Sequence, residues 1–124
     1  MTAQGIAIRI TARDWWTSNH RLSRFDEARR TKAVRMTAGW LAKLHLEPMT
    51  ACNVTATIHT PTNRRFDAPN AYPMVKAAVD GIVDAGVLPD DDDTVIECMS
   101  FRRGPKTGEK GIYVLDIELA EVLP

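Results

Sequence analysis

Apolar residues alternate along GIAIRIT so that Ile6, Ile8 and Ile10 fall on one side, the period of a strand with one buried face. The stretch ARDWWTSNHRL that follows has no period and predicts irregular chain. Ser23 followed three residues later by Asp26 fits a capping box, and Phe25, Ala28, Ala33, Met36, Trp40 and Leu44 then recur near every 3.6 residues. That spacing predicts a helix from about Arg24 to about Leu44, its apolar stripe inward and Arg29, Arg30, Lys32 and Arg35 turned mostly to water. Pro48 ends the region, and TACNVTATIHT returns to strand alternation, with Cys52, Val54, Ala56 and Ile58 on one side.

PTNRRFDAPN is punctuated by proline and asparagine and reads as a loop. Val75, Ala78, Val79, Ile82 and Val83 then mark a short amphipathic helix that Gly86 can close in the left-handed conformation. After Pro89 and four aspartates, TVIECMSF and GIYVLDIEL read as two strands joined through RRGPKTGEK as a hairpin. The order β-α-β-α-β-β predicts an α/β (α+β) fold, a small mixed sheet with two helices packed on it.

The length of 124 residues, without a Pro/Gly-rich linker, fits one domain over residues 1–124. No apolar run approaches the eighteen or so residues of a membrane span, and MTAQGIAIRI lacks the basic-then-apolar order of a signal peptide. The expectation is a cytoplasmic protein with no membrane partner. Cys52 and Cys98 lie in strand-like runs without CxxC or Cys/His spacing, which predicts small core residues rather than zinc ligands or a disulfide.

The net charge is zero but segregated. Arg13 to Lys43 holds eight Lys/Arg against three acids, whereas Asp67 to Glu97 holds eight acids against the single base Lys76. Arg102, Arg103, Lys106 and Lys110 then restore positive charge around Glu109. Such a chain can fold into an acidic hollow with a basic rim.

Carboxylates in that hollow suit a hard cation, because Mg²⁺ takes oxygen ligands and is usually held by only one or two carboxylates plus water and phosphate. A second helix from about Ala71 carries the chain roughly 20 Å from Asp67 at about 1.5 Å per residue. An extended return from Gly86 covers roughly the same distance, which brings Asp91 or Asp92 back beside Asp67 if the loop runs antiparallel to the helix. Lys76 lies on the second turn, with Asp80 and Asp84 at i+4 and i+8 on its face. One cation among carboxylates can orient a nucleophile or stabilise a pentavalent phosphate. The plainer alternatives are a solvated, capping aspartate turn and a surface Lys76–Asp80 ion pair. Trp15 and Trp16 read as a core edge or dimer contact rather than a base-stacking platform, and His20, His45 and His59 show no ligand spacing.

RRFDAPN, VKAAVDGIVDAGVLPDDDDTV and TSNHR together resemble the RusA family of Holliday junction resolvases over nearly the whole chain, most closely its actinobacterial phage branch. The positions that match are Ser18, Asn19 and Arg21, then Arg64, Arg65, Asp67 and Asn70, then Lys76, Asp80 and Gly86, and the aspartates before Val95. The resemblance implies a homodimeric, Mg²⁺-dependent endonuclease, with Mn²⁺ as a substitute, that recognises four-way junctions and forks by shape. It implies Asp67, Lys76, Asp80, Asp91 and Asp92 as catalytic residues, with Asp67, Asp91 and Asp92 on the metal. It also fits Arg64, Arg65, Asn70, Arg102, Arg103, Lys106 and Lys110 as DNA contacts, since phosphate neutralisation carries most of the affinity for DNA.

Two departures stand against it. Pro69 replaces the second aspartate of the family's Asp-x-Asp-Asn, and three extra residues separate Asn70 from Lys76. Counting from Asp80 favours Asp90 and Asp91 as the later pair, counting back from Val95 favours Asp91 and Asp92, and Asp91 is common to both. The alternatives are a branched-DNA-binding dimer that has lost catalysis with Pro69, and a Ca²⁺-stabilised interaction domain, which the absence of an EF-hand pattern disfavours.

Overall fold

The computed structural model describes residues 2–123. Its elements follow in the order β1 (Ala3–Thr11), α1 (Arg24–His45), β2 (Cys52–His59), a 3-10 turn (Ala68–Ala71), α2 (Tyr72–Asp84), β3 (Ile96–Arg103) and β4 (Ile112–Glu121). The strands form one sheet in the order β1-β4-β2-β3, with β2 and β3 parallel and the other pairs antiparallel. This is the small mixed α+β architecture that the alternating periods predict. No helix among the described residues is long and apolar enough to cross a membrane.

Alternation sets the core. Ile6, Ile8 and Ile10 of β1, Cys52, Val54, Ala56 and Ile58 of β2, and Leu115, Ile117 and Leu119 of β4 are all buried on one face of the sheet. They meet Val34, Ala38 and Ala42 of α1 and Met74, Val75, Ala78, Val79 and Ile82 of α2 in one cluster. The residues between them, such as Thr55, Asp116 and Glu118, point to the other face, which is polar and open.

The face of α1 differs from expectation. Phe25, Met36, Trp40 and Leu44 are exposed, Phe25 by 83% and Trp40 by 68%, and small residues are buried instead. The physical cause is how closely the two helices approach. A Cβ on Gly39 would stand 3.3 Å from the Gly81 carbonyl oxygen, and one on Gly81 would overlap the Arg35 carbonyl oxygen and stand 2.8 Å from the Gly39 nitrogen. Only Val, Ala and Gly fit such an interface, so the large apolar stripe falls outside it. Arg29 and Arg30 are likewise half-buried rather than turned to water. Arg29 binds Asp14 at 2.9 Å and the Arg13 carbonyl at 2.8 Å, and Arg30 donates to the Trp15 carbonyl at 2.6 Å, which pins the irregular segment after β1.

A second correction concerns β3 and β4, which are not a hairpin. β2 lies between them, so the connection Gly104 to Gly111 crosses the end of β2. It is held there by Gly104 N–H to the Ile58 carbonyl at 2.9 Å and Thr107 N–H to the Thr60 carbonyl at 2.9 Å. His59 secures it further, with Nδ1 2.7 Å from the Pro105 carbonyl and Nε2 2.6 Å from Asp116 Oδ2. Gly104 is required at this crossing, because a Cβ there would run into the His59 ring. Cys52 is buried as expected, but Cys98 is exposed, since its side chain lies on the open face of β3.

Candidate functional site

Two local devices aim the acidic segment. α2 ends at Gly86, whose φ of 84° is the left-handed conformation that glycine adopts without strain. Gly86 N–H bonds the Val83 carbonyl at 2.9 Å and Val87 N–H the Ile82 carbonyl at 3.3 Å, the double closure that reverses a chain at a helix end. Val87 and Leu88 are buried, and the chain runs back along α2 with its aspartates outward. This is the antiparallel return that the chain lengths allow.

Asp91 therefore reaches the second turn of α2. Lys76 Nζ donates to Asp80 Oδ1 at 2.6 Å and to Asp91 Oδ2 at 2.5 Å, joining residues fifteen apart in sequence. Hydrogen bonds to Asp80 and then Asp91 raise the Lys76 ammonium above its ordinary value. The bond from Lys76 in turn holds the Asp91 carboxyl below the usual range. Arg35, from α1, binds Asp84 through Nε at 2.6 Å and Nη2 at 2.8 Å, and its Nη1 lies 3.9 Å from Asp80 Oδ2. Lys76, Asp80, Asp91, Asp84 and Arg35 form one network.

The other aspartates of the run have separate roles. Asp90 Oδ1 accepts the Asp91 amide at 2.7 Å. Asp92 Oδ1 accepts the amide of Thr94 at 3.0 Å and its hydroxyl, while the Asp92 carbonyl takes the Val95 and Ile96 amides, so this residue builds the turn into β3. Asp93 is exposed. Asp67 is also exposed and heads the 3-10 turn, where its carboxylate makes no capping bond. Among the described residues no three His, Cys, Asp or Glu side chains converge as a metal-holding group. Asp67, Asp91 and Asp92 are thus not gathered into one ligand set. The oxygens that do converge are those of Asp80 and Asp91, around the Lys76 ammonium.

Two segments remote in sequence meet at the turn after Asp67. Ser18 N–H donates to the Asn70 carbonyl at 2.9 Å and Ser18 Oγ to the same oxygen at 3.4 Å. Arg64 and Arg65 are exposed just before that turn. Arg103 lies on the helix side of β3 and donates to Thr60 Oγ1 at 2.7 Å and the Thr62 carbonyl at 2.9 Å. Lys106 and Lys110 are exposed on the crossing loop. Arg102 is on the opposite face of the sheet, beside Asp116 and Glu118, so it is not brought together with the Lys76 network.

Sequence reasoning missed Arg35, whose partner Asp84 is 49 residues away with no local pattern to announce it. It also missed His20, whose Nδ1 accepts the Thr17 amide at 2.8 Å, and the stacking of Trp15 on Tyr113 at 4.4 Å with planes 7° apart.

The fold and site define a mixed α+β domain with a lysine held between two carboxylates and a loop that exposes Arg64 and Arg65. No family model matches the chain, and no curated protein matches it. Among solved structures, hydrogenase maturation protein HypE is similar at 10% identity and a TM-score of 0.31, covering 98% of this chain and 32% of that one. HypE in complex with ATP gives the same identity and TM-score over 100% and 31%. The chain spans about a third of the length of those proteins, and a likeness this low carries no argument about fold or function.

Proposed function

We propose that the chain is a metal-dependent, structure-specific DNA endonuclease of the RusA type, acting as a homodimer on four-way junctions and forks. The observation that carries this reading is the return of Asp91 onto Lys76 and Asp80. A single loop converts a run of repelling carboxylates into one aspartate paired with the only cation of the acidic segment. The meeting of Ser18 with Asn70 supports it further, because it joins the two distant segments that carry the family resemblance.

The residues offer a divalent cation the carboxylates of Asp80 and Asp91, an all-oxygen pair of the number Mg²⁺ usually takes from protein, which now shares the Lys76 ammonium as its positive charge. When bound, Mg²⁺ or Mn²⁺ lowers the pKa of a coordinated water and neutralises charge on the scissile phosphate. Asp91 and Asp80 would hold the ion, and Asp67 heads the turn before α2 with its carboxylate exposed and free of a capping bond. Lys76, which pairs with both carboxylates, would turn to a phosphate oxygen once the ion took its place. Arg35 keeps Asp84 and the outer oxygen of Asp80 from swinging away. Arg64, Arg65, Lys106 and Lys110 contact flanking phosphates.

One observation favours a second reading, a branched-DNA-binding dimer without catalysis. Pro69 removes one family carboxylate, and Asp92, a natural substitute, is engaged by Thr94. Incubating labelled four-way junction, fork and linear duplex with the protein in Mg²⁺, Mn²⁺ and EDTA separates the two. The endonuclease reading expects metal-dependent cutting of branched substrates that Asp91→Asn slows sharply. Tight junction binding with no product in either metal leaves the scaffold.

A further inference from the structure

A cleft of about 440 Å³ opens between the segment after β1 and the loop after β2, outside the Lys76 network. Its floor is Trp15, buried and stacked flat on Tyr113 at 4.4 Å. Phe66 forms a side wall, its ring centroid 6.4 Å from that of Trp15. The Phe66 ring is steadied by the Arg103 guanidinium 6.0 Å from its centroid, and Arg103 is itself fixed by Thr60 and Thr62. Arg64 and Arg65, both exposed, form the rim. His20 also lines the cleft. Its Nδ1 accepts the Thr17 amide, so in the neutral ring the proton sits on Nε2 as a donor.

The size and lining select the ligand. The volume is in the range of small-molecule sites and large enough for a nucleobase with its sugar. Flat aromatic walls with guanidinium groups at the mouth are the combination that binds an unstacked base by its face and the adjoining backbone by its charge. Phe66 precedes Asp67 directly, so a nucleotide seated on this wall lies one residue along the chain from the turn that Asp67 heads.

We propose that this cleft seats one unpaired nucleotide of a branched DNA, its base against Phe66 and Tyr113 and its phosphate on Arg64 and Arg65. The proposal rests on the endonuclease reading above and adds to it the source of branch selectivity. A linear duplex keeps every base stacked between two neighbours, whereas stacking is interrupted at the crossing point of a junction, where a base leaves its pair and enters the cleft at the least cost.

The test is equilibrium binding in EDTA of a four-way junction and a matched linear duplex, each carrying 5-iodouracil, followed by photocrosslinking and peptide mapping. The variants are Phe66→Leu, which keeps an apolar side chain on the wall, and the double change Arg64→Gln with Arg65→Gln. Phe66→Leu should weaken junction binding about tenfold, leave duplex binding unchanged and remove the crosslink at the branch point. The arginine changes should weaken binding to both DNAs and lessen its salt dependence. Crosslinks in the wild type should map to peptides containing Phe66 or Tyr113 with the junction alone. Equal loss on junction and duplex for Phe66→Leu, or undiminished junction binding, overturns the nucleotide seat while leaving the nuclease reading standing. Crosslinks elsewhere in a tight complex do the same. Failure of the wild type to bind any DNA overturns both.

Discussion

Of the four consecutive aspartates, Asp91 alone pairs with a cation among the described residues, and the pH dependence of stability should report that pairing. Its carboxyl is depressed by the bond from Lys76, so the stabilisation it contributes is present above an unfolded value of about 3.9 and is lost as pH falls through the lower folded value. Lys76 is raised, so its contribution is present below about 10.4 and lost as pH rises through the higher folded value. Lys76→Met should therefore lower the unfolding midpoint relative to wild type at pH 7, and the gap should narrow as the pH is taken to 3. A gap independent of pH would show that the pair adds nothing. Neighbouring aspartates should behave unequally. Asp92→Ala removes the acceptor for two Thr94 donors and should cost about 1 kcal/mol, while Asp93→Ala at an exposed position should stay within about 0.5 kcal/mol. Denaturant titration of the two variants checks this, and equal losses would contradict it. The Asp92 turn was legible in principle, since Asp-x-Thr ahead of a strand is a local hydrogen-bonding signal. Charge density drew attention to the run as a whole instead.

At the scale of elements, the period of α1 located the helix to within a residue of its observed span, and Ser23 caps it by accepting the Asp26 amide at 3.1 Å. The reciprocal half of that capping box is not made, because the Asp26 carboxylate binds Arg29 and Arg30. The buried face was not legible, since apolar size favours Phe25, Met36, Trp40 and Leu44, whereas a close helix contact selects the smallest side chains. Gly81→Ala tests that contact. Helix propensity alone would favour alanine by about 1 kcal/mol, but the added methyl overlaps the Arg35 carbonyl and crowds Gly39, so the net change should be a loss of about 1–3 kcal/mol. A stabilised Gly81→Ala variant would mean that the two helices are not so closely packed. The order of the strands was hidden for a different reason. A Gly- and Pro-rich connection signals a reversal, yet eight residues from Gly104 to Gly111 are enough to pass over a neighbouring strand, and only the bonds to Ile58, Pro61 and Thr60 decide between the two.

Across the whole molecule, zero net charge conceals a division between the acidic loop and the basic segments at Arg64 to Arg65 and Lys106 to Lys110. If these are phosphate contacts, Arg64→Gln should reduce the slope of log affinity against log salt by about one. Arg102→Gln, on the far face of the sheet, should leave the slope unchanged if the DNA lies wholly on the helix side. Salt titrations of junction binding by the two variants check both, and equal effects would place DNA on both faces. The most direct measurement is cleavage of a labelled four-way junction in Mg²⁺ by wild type, Asp91→Asn and Asp93→Asn, two variants that remove the same charge two residues apart. Wild type and Asp93→Asn should make paired, metal-dependent incisions, and Asp91→Asn should be slower by about 10²-fold or more. Undiminished cutting by Asp91→Asn, or no cutting by wild type that binds the junction, would contradict an active site built on Asp91 and Lys76.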